Sequence, residues 1–205
     1  MSQQELIEKL EKNYDLFVSL VGRIKNEDAR EALLALCNEQ KDRLAAAPAS
    51  TRLDYVGAYP GGLVEYSLSV LKIAKDLNKV FGANIDTDSL IITSLFHDLG
   101  KLGDTENDYY VEQESDWHRT KLGMMYDFNP EVSRIPVCQR SLWWLNGAGC
   151  PLSLDEVAAI SSLHHMNQMY ASEVYESPML SVILQTAVRV ACINGKGKTS
   201  VLDKG

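Results

Sequence analysis

Apolar residues recur at three- and four-residue spacing from near the start of the chain, the period of a helix with one buried face. In QQELIEKLEKNYDLFVSLVGRI (residues 3–24), the stripe is Leu6, Leu10, Phe17, Leu20, Val21 and Ile24. EDAREALLALCNEQKDRLAAA (27–47) is rich in Ala and Leu, which lose little freedom in a helix, and predicts a second one. Together these read as a helical hairpin over residues 1–48. Two prolines and three glycines in APASTRLDYVGAYPGG then break the period and predict a loop. GLVEYSLSVLKIAKDLNKVF resumes it through Leu63, Leu68, Leu71 and Leu77.

End signals place the remaining helices. DTDSLIITSLFHD (86–98) opens on capping residues and closes near Gly100. SLDEVAAISSLHH (153–165) carries a capping box, Ser153 with Glu156 three residues on. SPMLSVILQTAVRVACING (177–195) has Ser177 as cap, Pro178 at the first helical position and Gly195 as stop. LIITSLF is branched enough for a short strand, but its flanking caps favour helix, and strand signals elsewhere are weak. The predicted fold class is all-α, with a core domain over 49–195 and a mobile basic tail over 196–205.

Composition changes this picture little. With 45% hydrophobic and 23% charged residues, the chain is an ordinary globular one. Its formal charge of −8 argues against a duplex nucleic-acid binder, which needs a surplus of Lys and Arg. A small phosphorylated ligand needs only a few local cations and stays open. No basic segment leads into an apolar one at the N-terminus, and no run approaches the roughly 18 apolar residues of a membrane span. Cys37, Cys138, Cys150 and Cys192 are scattered without a C-x-x-C pair, which fits buried thiols in a reducing cytoplasm better than disulfides or a zinc ribbon. The expectation is a soluble cytoplasmic protein. The apolar stripes of the hairpin either cap the bundle or pair two copies, so a homo-oligomer stays open too.

The chemistry concentrates in the four histidines, His97, His118, His164 and His165. His97 and Asp98 stand side by side, followed by Gly100 and Lys101. An imidazole with a carboxylate suits a divalent ion such as Mn, Fe, Co, Ni or Zn. Helical neighbours project about 100° apart, so the pair reaches one ion only from a helix flank or a loosened helix end. The same dipeptide also occurs as an ordinary hydrogen-bonded pair. His164 and His165 equally suit a helix C-terminus, where imidazolium complements the dipole. His118, in DWHRTKLG, suits a solvated helix start, and Arg119 and Lys121 beside it either face solvent or bind a phosphate. Two other chemistries find no support. No G-x-S-x-G elbow is present. GKGKTS (195–200) is not a phosphate-binding loop, since Cys192 stands where the first glycine belongs and the segment follows a helix.

APASTRLDYVGAYPGGLVEYSLSVLKIAK, then SLIITSLFHDLGKLGD, then LHH, resembles the HD-domain superfamily of metal-dependent phosphohydrolases, and is most similar to the small HD proteins found in bacteriophages and in some exoribonucleases. The resemblance spans roughly residues 45–195 and is carried best by the Pro-Gly-Gly turn and HDLGK. It implies an all-α bundle that holds a metal among several helices and hydrolyses phosphate esters, often in nucleotides. His97 and Asp98 match the family's central ligand pair, and Lys101 the lysine after it. His164 and His165 match later histidines, and His118 an intermediate one. Two positions depart from the pattern. Tyr66 stands where a histidine follows GGLVE, and Val188 replaces a late aspartate; Val56 stands where close relatives place another histidine.

Two functions follow from the resemblance. In one, a divalent metal on His97, Asp98, His164, His165 and His118 activates water against a nucleotide or other small phosphate ester. Asp98 and Lys101 are its catalytic residues, and Arg119, Lys121 and Tyr66 bind substrate. In the other, the substitutions at Tyr66 and Val188 have removed the metal, and the pocket binds a nucleotide or a protein partner without cleaving it.

Overall fold

The computed structural model describes residues 2–165 and 177–196. Helix α1 (Gln3–Val21) opens with a capping box between Ser2 and Glu5, and α2 (Glu27–Glu39) is capped by the Asn26 side chain. The second expected helix is two. At Gln40 the backbone leaves helical geometry (φ −99°, ψ 19°), and a separate helix, α3 (Lys41–Ala46), follows. Ala and Leu content reports propensity but not the direction of packing, so the break left no trace in the pattern.

The loop over 47–61 turns on glycines. A side-chain carbon on Gly62 would sit 2.1 Å from the Gly57 carbonyl oxygen, so the Pro-Gly-Gly turn closes only on bare α-carbons. Helix α4 (Gly62–Phe81) follows, buried along its whole first half, and packs against α5 (Thr87–Phe96) and α9 (Met179–Gly195). Beyond α5 the chain makes a short 3₁₀ turn (Leu99–Leu102) and enters an excursion of which the sequence expectations held only the helix start at His118. Two three-residue strands, β1 (Tyr110–Glu112) and β2 (Tyr126–Phe128), pair antiparallel with Tyr110 opposite Phe128 and α6 (Asp116–Leu122) between them. Strands this short carry no alternation to detect.

Helix α7 (Val137–Gly147) packs on the 3₁₀ turn, and α8 (Leu154–Ser161) starts with the expected Ser153–Glu156 capping box. A second 3₁₀ turn (Ser162–His165) ends the first described stretch. Helix α9 begins one residue later than read from sequence, with Pro178 in the cap position. The fold is all-α apart from the small hairpin.

One buried cluster joins the N-terminal helices to the rest, with Phe17 of α1 meeting Phe96 of α5 edge to face at 5.3 Å between ring centroids. A polar tie reinforces it. Glu65, 1% exposed on α4, accepts from Lys9 Nζ (2.8 Å) and Asn13 Nδ2 (3.0 Å) of α1 and from the Tyr59 hydroxyl (2.6 Å). A buried carboxylate persists only when its oxygens are so engaged. Cys37, Cys138 and Cys150 are buried free thiols, but Cys192, expected to be buried too, is exposed near the end of α9. Among the described residues, no helix is long and apolar enough to cross a membrane.

Candidate functional site

Helix α5 starts on the Asp86 cap and runs almost wholly buried to Phe96. His97 still donates its backbone N–H to the Thr93 carbonyl at 3.0 Å, whereas Asp98 (φ −107°, ψ 14°) has left the helix. This loosening lets neighbouring side chains converge. His97 is fully buried, and its Nδ1 lies 2.9 Å from the Ser94 carbonyl oxygen. A carbonyl only accepts, so Nδ1 carries the proton and Nε2 the lone pair, the tautomer of a metal-ligating histidine. Nε2 lies 3.7 Å from Asp98 Oδ2 and has no hydrogen-bond partner among the described residues. Burial lowers the pKa of the imidazole against the opposing pull of Asp98, keeping it neutral.

Lys101 Nζ sits 2.5 Å from the same Asp98 oxygen, each side chain 16% exposed. Burial works to raise the Asp98 pKa, but the ammonium beside it, with His97, brings the carboxyl below its usual range. Burial likewise works to lower Lys101, and Asp98 outweighs it, so the ammonium holds its proton more firmly than usual.

Helix α7 clamps this corner from behind. The Ser141 hydroxyl accepts the Gly100 N–H at 2.8 Å and donates to the His97 carbonyl at 2.7 Å. Arg140 donates to the Gly100 carbonyl at 3.1 Å. A side-chain carbon on Gly100 would meet the Val137 carbonyl oxygen at 2.2 Å, which is why the histidine–aspartate pair is followed so closely by glycine. Sequence reasoning found Gly100 but missed Arg140 and Ser141.

Tyr66 is 2% exposed, its ring centroid 5.5 Å from that of His97 and 5.4 Å from Lys101 Nζ. Its hydroxyl lies 3.5 Å from Cys192 Sγ, and burial pushes the phenol well above its ordinary pKa. A phenol that stays protonated is a poor ligand for a divalent ion. Val188, on α9, is buried hydrocarbon, as is Val56 in the loop before α4. His164 and His165 have their backbone in the second 3₁₀ turn, and their side chains lie outside the described residues. So do residues 197–205, most of the expected basic tail.

His118, Arg119 and Lys121 sit on α6, which is tied to the loop before α4. The Gly123 carbonyl accepts from Leu53 N–H and the Thr51 carbonyl from Met125 N–H, both at 2.8 Å. Among the described residues, no hydrogen bond, ion pair or ring contact joins His118 to His97 or Asp98. Arg119 is engaged by the Gln113 carbonyl at 2.8 Å and by the Asp116 carboxylate. Lys121 is exposed.

The donors present fit one side of a divalent ion: a neutral imidazole lone pair and a carboxylate 3.7 Å apart. They do not close its shell. Among the described residues, no group of three or more His, Cys, Asp or Glu side chains converges to hold a metal.

Comparison with known proteins adds a partial likeness. No family model matches the chain, and no solved structure does. A curated relative, the dihydroneopterin 2',3'-cyclic phosphate phosphodiesterase of Methanocaldococcus jannaschii, is 30% identical over 98 residues, covering 41% of this chain. The matched part spans only 39% of that relative's length. In part of its sequence, then, the chain resembles a phosphodiesterase.

Proposed function

We propose that this chain is a phosphohydrolase that opens a cyclic phosphate diester of nucleotide size, using the corner formed by His97, Asp98 and Lys101. One observation carries the reading: a fully buried imidazole, whose Nε2 has no hydrogen-bond partner among the described residues, stands 3.7 Å from a carboxylate that also holds an ammonium. Burying such a set is costly, and sites that bear the cost are commonly functional. A divalent ion of the Mn, Fe, Co, Ni or Zn class, held by His97 and Asp98 with His164 and His165 completing its shell, would supply Lewis-acid charge.

The chain's own groups do the rest. Asp98 orients the attacking water and takes up its proton. Lys101 neutralises charge developing on the phosphoryl oxygens. Tyr66 walls the site. Water adds its oxygen to phosphorus, one ring P–O bond breaks, and the departing oxygen leaves with a proton, giving a phosphate monoester. The part-length likeness to a cyclic-phosphate phosphodiesterase supports this class of substrate. Three buried free thiols fit work in a reducing cytoplasm.

A second reading draws on Lys101. Its ammonium already neutralises Asp98, and Tyr66 and Val188 stand where further donors are expected, an arrangement that suits a metal-free protein binding a nucleotide without cleaving it. Elemental analysis of the purified chain, paired with a cyclic-phosphate hydrolysis assay, separates the two. Bound metal with turnover that vanishes in His97→Ala supports the hydrolase. Metal-free protein that melts higher with nucleotide but never cleaves it supports the binder.

A further inference from the structure

Away from Asp98, the Lys101 side chain borders a cavity of about 340 Å³. Tyr55 and Val56 of the loop before α4 form one wall, Tyr66 of α4 another, and Cys192 and Lys196 at the end of α9 the far rim. Two lysines and no carboxylate line it among the described residues, although the chain as a whole carries a charge of −8. A second cavity that reaches Lys101 is lined by Asp42, Asp108 and Glu112 with Arg43, so carboxylates outnumber cations there and disfavour an anion. Charge therefore selects the first. Tyr55 is half exposed and lines this cavity, with the Arg52 guanidinium over its ring at 5.6 Å from the centroid.

Building on the hydrolase reading, we infer that this cavity seats the planar heteroaromatic group of the phosphate ester, stacked on Tyr55, with Lys196 and Lys101 holding the phosphate end. Ligand pockets generally range over roughly 300–1,000 Å³, and this one lies at the bottom of that range. It has room for a single nucleoside-sized group. Aromatic stacking supplies affinity without reading base identity, so the pocket discriminates ring from no ring more sharply than one base from another.

Cys192 provides a reporter inside the pocket. It is the exposed thiol, whereas Cys37, Cys138 and Cys150 are buried, and burial pushes Cys37 and Cys150 up to about 12, Glu156 adding to the effect at Cys150. Iodoacetamide therefore labels Cys192 first. The experiment measures its labelling rate by mass spectrometry in the presence of adenosine monophosphate, ribose 5-phosphate or inorganic phosphate. Adenosine monophosphate is expected to protect Cys192 at concentrations where the other two do not. Tyr55→Ala and Lys196→Ala, both at exposed positions, are expected to raise the protecting concentration about tenfold each while the melting temperature holds.

Absent protection, equal protection by ribose 5-phosphate, or variants that behave as the parent all overturn the inference. Its failure and that of the parent reading differ in outcome. Hydrolysis without protection removes only the pocket, whereas protection without hydrolysis leaves the pocket standing and removes the activity.

Discussion

Ser141 and Ser94 are both fully buried, yet removing their hydroxyls should have opposite effects. The Ser141 hydroxyl bridges the Gly100 N–H at 2.8 Å and the His97 carbonyl at 2.7 Å, one backbone group in the 3₁₀ turn and one at the end of α5. Ser141→Ala strands both. A buried group left unsatisfied costs about 1–3 kcal/mol, and with partial relaxation the pair should cost about 2–3 kcal/mol. The Ser94 hydroxyl has no hydrogen-bond partner among the described residues. Ser94→Ala removes a buried, unpaired polar atom and should be neutral or stabilising by about 1 kcal/mol. Urea unfolding followed by circular dichroism reads the difference. At a slope of about 2 kcal/mol per molar urea, Ser141→Ala should lower the midpoint by roughly 1–1.5 M while Ser94→Ala holds or raises it. Amide exchange at Gly100 should quicken in the first variant alone. Equal shifts in the two variants, or a Ser141→Ala midpoint matching the parent, would refute the idea that α7 clamps the corner through this hydroxyl.

Three further outcomes follow from the geometry. Glu65→Gln keeps the shape but turns one acceptor into a donor facing Lys9, Asn13 and Tyr59; it should cost about 2 kcal/mol in urea unfolding and speed amide exchange in α1 more than in α9. Tyr66→His combined with Val188→Asp supplies two donors in place of a protonated phenol and a hydrocarbon; calorimetry should show Mn or Co binding at least about tenfold tighter than in the parent, and an unchanged affinity would count against a shared site. Asp104 accepts the N–H groups of Glu106 (2.9 Å) and Asn107 (2.7 Å), which hold its carboxyl below the ordinary value of 3.8. A depressed carboxylate stabilises its loop above that ordinary value and loses the contribution as pH falls through the lower folded one, so these two amides should stay protected past 3.8 on acidification and open only below it, whereas in Asp104→Asn their protection should not follow this titration.

Much of the architecture was legible because its signals are local. The apolar stripe of α1, the Ser153–Glu156 box and the Gly61–Gly62 turn each act within a few residues, and each stands where it was read. The break at Gln40 and the hairpin of β1 with β2 were not legible, since both depend on what the segment packs against. The site divides along the same line. His97, Asp98 and Lys101 were found because adjacency brings them together. Ser141 meets Gly100 across 41 residues and Cys192 meets Tyr66 across 126, distances over which a single sequence carries no trace of contact. Arg119 stands open in the sequence between a solvent-facing residue and a phosphate binder, and only the fold reveals that Asp116 and the Gln113 carbonyl engage it.

The central claim is that Asp98 and its neighbours cleave a phosphate ester. The most direct test incubates adenosine 2',3'-cyclic monophosphate with the parent chain and with Asp98→Asn, each supplied with Mn or Co, and separates diester from monoester by anion-exchange chromatography. The parent should form monoester, and Asp98→Asn should do so roughly a hundredfold more slowly or worse while melting within a few degrees of the parent. A parent that leaves the diester intact, or a variant that cleaves it equally fast, would contradict the account.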